Sequence, residues 1–103
     1  MIKLLYATFD SKEEAVSIAH KLLEEKLVAC ANVLDGGASI YRWQGEVKQA
    51  NESILFAKTT QEQAQKAAKR IKELHSYDLP CVLILPVEDG LPEFMQWVKT
   101  ETC

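Results

Sequence analysis

The chain has 103 residues, 48% hydrophobic and 26% charged, with a formal net charge of −3. That length makes one domain, residues 1–103, and a domain this small buries only about 60–70% of the surface its unfolded chain exposes, so association would help it. The acidic balance argues against a general nucleic-acid binder, which needs a basic surface to displace counterions.

In chain order, an apolar run at Ile2–Phe9 predicts the first strand. Ser11-Lys12-Glu13-Glu14 has the S-x-x-E form of a capping box. Behind it Ala15, Ile18, Ala19 and Leu22 form one apolar stripe, which predicts a helix over residues 12–26. A second strand is expected over 28–33. Asp35-Gly36-Gly37 carries a turn signal. Ser39-Ile40-Tyr41-Arg42-Trp43 alternates and is rich in β formers, Gln44-Gly45 reads as a tight turn, and Glu46-Val47-Lys48 returns. Residues 38–50 are therefore expected to form a bent hairpin arm reaching beyond the domain.

The third strand is expected over 53–58. Thr60-Gln61-Glu62-Gln63 repeats the capping device, and Ala64, Ala67, Ala68, Ile71 and Leu74 form the stripe of a second helix. It should end near His75, because Pro80 disfavours helix at Leu79. A fourth strand is expected over 81–87. Glu88-Asp89-Gly90 then turns the chain into a short last helix bearing Phe94, Trp97 and Val98. The order βαββαβ defines an α+β, ferredoxin-like sandwich with a hairpin arm and a short C-terminal helix. The strand runs are nearly all apolar rather than alternating, the pattern of strands buried on both faces. Two helices cover one sheet face, so the other is expected to pack against further copies of the chain.

Several side chains are candidates for chemistry. The cysteines, Cys30, Cys81 and Cys103, are odd in number and contain no C-x-x-C, so they signal neither a disulfide framework nor a zinc knuckle. Cys30 and Cys81 lie in apolar runs and read as buried thiols, with Cys103 frayed. His75 falls at a helix C-terminus, where it either caps the helix or ligates metal. His20 reads as a surface residue. Glu88 and Asp89 form either a hard-cation site or a solvated turn. Tyr41, Trp43 and Tyr77 are the aromatics expected near subunit junctions or a ligand cleft. Lys66, Lys69, Arg70 and Lys72 are flanked by Glu62 and Glu73 and read as a solvated face. Lys58, just before the second helix, could meet an anion at exposed helix N–H groups. No nucleophile elbow, P-loop or dinucleotide fingerprint is present, so an enzyme is not expected.

The words Ala29-Cys30-Ala31-Asn32, Tyr41-Arg42-Trp43-Gln44-Gly45, Lys58-Thr59-Thr60 and His75-Ser76-Tyr77-Asp78-Leu79-Pro80 resemble the CutA family of divalent-cation tolerance proteins. The resemblance covers nearly the whole chain. It implies a homotrimer with edge strands pairing between subunits, an architecture similar to the PII signalling proteins, and a link to tolerance of divalent metals and to copper binding. In some bacterial members a copper site is assigned to a strand cysteine and two adjacent histidines. The matching positions here are Tyr6, Leu74 and His75, so one of three ligands is retained, and one imidazole does not make a Cu(II) site.

The expected function is thus a non-enzymatic trimer that binds Cu(II) or another divalent cation, or a small molecule, in metal homeostasis. The alternative is a PII-like trimer holding a nucleotide or other anion in clefts between subunits. No cofactor is expected to be required for folding, and neither nucleic acid nor membrane is an expected partner. Met1-Ile2-Lys3 runs straight into a strand with no signal peptide, so the cytoplasm is the expected location.

Overall fold

The computed structural model describes residues 1–103. The elements are β1 (Ile2–Phe9), α1 (Lys12–Glu24), β2 (Cys30–Trp43), β3 (Glu46–Thr60), α2 (Gln61–Leu74), β4 (Val82–Pro86) and α3 (Pro92–Glu101). The strands form one four-stranded sheet in the order β2-β3-β1-β4, and every neighbouring pair is antiparallel. This is the α+β sandwich that the order of elements predicts.

The Ser11 side chain accepts the Glu14 N–H at 3.1 Å, so the first capping device forms. α1 ends two residues earlier than its periodicity suggests. Lys26 adopts φ 59°, and the Leu27 and Lys26 N–H groups bond the Leu22 and Leu23 carbonyls, a Schellman stop with lysine where glycine is usual. The second capping device does not form, since the Thr60 side chain makes no cap hydrogen bond. The Met1 carbonyl instead accepts the Gln61 N–H at 2.9 Å, and the Gln63 amide donates to the Thr102 carbonyl at 3.1 Å. The Gln63 side chain that would reach back to the Thr60 N–H is thus held by a tertiary partner instead.

The core lies between the helices and one sheet face. Leu5, Ala7 and Phe9 of β1, Leu55 and Ala57 of β3, Ala15, Ile18, Ala19 and Leu22 of α1, Val28 just before β2, and Ala67 and Ile71 of α2 are its buried members. The alanines let α2 approach the sheet closely. A second, smaller cluster of Ile2, Ala29 and Val98 seats α3 at the sheet end.

The opposite sheet face is uncovered in the single chain. Register places Leu4, Tyr6, Ile54, Phe56, Leu34, Leu83 and Leu85 on it together. Leu34 is 51%, Leu83 55% and Leu85 39% exposed. The apolar strand runs are therefore two-sided in sequence and one-sided in burial.

β2 and β3 are longer than the sequence runs suggest, with 14 and 15 residues. Asp35-Gly36-Gly37 does not turn the chain; it makes an irregularity in a continuous strand, between Leu34 and Gly37 in the register. Gly36 takes φ +77°, and a Cβ on Gly37 would meet the Glu52 carbonyl at 2.9 Å, so both glycines answer a backbone need. Asp35 fixes this point, accepting from the Gly36 N–H at 2.9 Å and the Ser53 hydroxyl at 2.8 Å. Beyond it the hairpin runs to Gln44 and Gly45, both at positive φ, the geometry of a two-residue hairpin turn.

Candidate binding cleft

A cleft of about 590 Å³ opens where the uncovered sheet face meets the base of the arm. Alternation along β2 puts Ser39, Tyr41 and Trp43 on one side of the arm, and all three line the cleft. β1 contributes Tyr6 and Thr8, and β3 contributes Glu52. The segment between α2 and β4 supplies Tyr77, Asp78, Leu79 and Cys81. Pro80 keeps that segment from continuing α2.

Tyr77 ties the two walls together by donating a 2.8 Å hydrogen bond to Glu52 Oε2. Burial pushes its hydroxyl well above the ordinary tyrosine range, and the Glu52 hydrogen bond and charge push the same way, with smaller effects from Asp10 and Glu14. Tyr77 is thereby held as a neutral donor. Cys81 is exposed as a residue, but partial desolvation of its sulfur raises the thiol, Glu52 adds to this, and a hydrogen bond with Thr8 opposes it. Two carboxylates, Glu52 and Asp78, face the cleft, and no lysine, arginine or histidine lines it. The nearest arm lysine, Lys48, opposite Tyr41 in the register, is paired with Glu46 at 3.1 Å.

His75 sits behind this wall with its side chain fully buried. Its ring stacks on Phe9 at a centroid distance of 4.6 Å and an interplanar angle of 13°. Nε2 lies 2.7 Å from the Thr8 carbonyl, and Nδ1 accepts the Tyr77 N–H at 3.1 Å. These partners assign the neutral tautomer with the proton on Nε2. Both ring nitrogens are therefore engaged, and metal ligation by His75 would require giving up one bond. Glu14 Oε2 lies 3.8 Å from Nδ1 and bonds the Ser76 N–H at 2.8 Å.

The structure brings Tyr41, Trp43 and Tyr77 together. It leaves Glu88 and Asp89 apart from them, exposed in the loop after β4, where Asp89 accepts the Gly90 N–H at 2.8 Å. No three His, Cys, Asp or Glu side chains of one chain come together as a metal cluster. Cys81 is exposed and Cys30 half-buried, against the expectation of two buried thiols. Cys81 lies just before β4, an edge strand that pairs only with β1, and opens onto the cleft rather than the core. His20 is exposed. Arg70 pairs with Glu25 at 2.9 Å and with Glu73 at 3.6 Å, which fits a solvated face. Lys58 bonds Asn32 on the neighbouring strand rather than standing free at the α2 N-terminus.

Sequence reasoning named Tyr6 only as the position matching a metal-binding cysteine and Asp78 only within a family word, and did not single out Thr8 or Glu52. These four come from three separate stretches, and only the sheet register and the Tyr77 hydrogen bond make them neighbours.

These features define a ferredoxin-like fold with one apolar sheet face uncovered, a long hairpin arm and an acidic, aromatic cleft at the arm's base. A profile of the CutA1 divalent ion tolerance protein family matches residues 3–101. The chain is 41% identical over 102 residues to the divalent-cation tolerance protein CutA of Thermus thermophilus, covering 99% of each. It is 39% identical over 98 residues to the protein of the same description from Archaeoglobus fulgidus, covering 95% of each. The solved Thermus thermophilus structure superposes with a TM-score of 0.96 over 100% of both chains. That of CutA from Xylella fastidiosa gives 0.96 at 35% identity, covering 99% of this chain and 98% of that one. The chain belongs to the CutA1 divalent ion tolerance family.

Proposed function

We propose that this protein is a homotrimeric, non-catalytic divalent-cation tolerance protein that handles copper or a similar ion in the cytoplasm. The nearly full-length family match carries the reading. Assembly is supported by the uncovered face bearing Leu34, Leu83 and Leu85, since a contiguous exposed apolar patch marks an interaction surface. The exposed arm residues Ile40, Tyr41, Trp43 and Val47 offer further apolar surface to a neighbouring copy. No helix is long and apolar enough to cross a membrane. The family name describes tolerance, not a reaction.

The donor groups of one chain do not make a closed metal cage, which needs about four ligands at fixed geometry. The proposed metal contacts are therefore shared between copies. Exposed Glu88 and Asp89 supply carboxylate oxygens, and His75, whose side chain is fully buried against Phe9, would join only by leaving that place and releasing the Tyr77 N–H from Nδ1. Copper titration by calorimetry tests this on the assembled protein. Glu88→Gln with Asp89→Asn, and separately His75→Ala, should each weaken binding. Unchanged affinity in either variant removes those residues from the site. The carboxylates of the cleft weigh against a nucleotide or other anion there, because the like charges would repel.

A further inference from the structure

We draw no further inference here: the strongest candidate, the exposed surface patch of Leu91, Phe94 and Trp97 along the C-terminal helix α3, is an unpartnered apolar face, and nothing in the structure shows what covers it.

Discussion

The Tyr77 hydroxyl donates to Glu52 across 25 residues of sequence, and this bond joins the segment before β4 to the base of the arm. Burial first, then Glu52, holds the Tyr77 hydroxyl above its ordinary range. A raised pKa stabilises the native state fully below the unfolded-state value and loses that contribution as pH climbs above it. Tyr77 should thus remain protonated in the folded protein at pH values where a free tyrosine ionises. The difference in ultraviolet titration between wild type and Tyr77→Phe isolates it, and Glu52→Gln should bring its midpoint down. A Tyr77 that ionises like free tyrosine would contradict the bond.

His75 acts here as a structural link. His75→Phe keeps the ring over Phe9 but leaves the Thr8 carbonyl and the Tyr77 N–H without their partner. An unsatisfied buried group costs about 1–3 kcal/mol, so the substitution should lower stability by about 2–4 kcal/mol. Urea unfolding of the variant measures this, and a change under about 0.5 kcal/mol would mean that the two bonds contribute little.

Asp35 clamps the irregularity in β2. The Ser53 hydroxyl, then the Gly36 N–H, hold its carboxyl below the usual aspartate range. By linkage, a lowered pKa contributes stability above the unfolded-state value, and that contribution is lost as pH falls through the native one. Carboxyl NMR should show Asp35 titrating below ordinary aspartates, and Ser53→Ala should return it toward them. A midpoint unaffected by Ser53→Ala would remove the hydroxyl as its cause.

Much of the fold is legible because its signals are local. Ser11 with Glu14, and the apolar stripe behind them, mark α1 within a dozen consecutive residues or so. The same reading fails at Thr60, where the Gln63 side chain bonds the Thr102 carbonyl, a partner that sequence spacing does not reveal. It fails again at Asp35-Gly36-Gly37, since a turn and a bulge both need glycine's freedom and an aspartate acceptor. The aromatic half of the cleft is legible from Tyr41, Trp43 and Tyr77 as β formers near turns. Its acidic half is not, because Glu52 carries no motif and meets the segment holding Asp78 only where the fold brings Tyr77 to bond it. Cys81 misleads because it adjoins an apolar run whose strand turns out to be an edge.

The central claim is that the uncovered face of Leu34, Leu83 and Leu85 is a contact between copies of this chain. Sedimentation equilibrium at micromolar concentration tests it most directly. The expected result is about three times the 11.6 kDa chain mass, with Leu83→Glu dissociating the assembly by placing a charge in the contact. A wild-type protein that sediments at the single-chain mass throughout that range would contradict it.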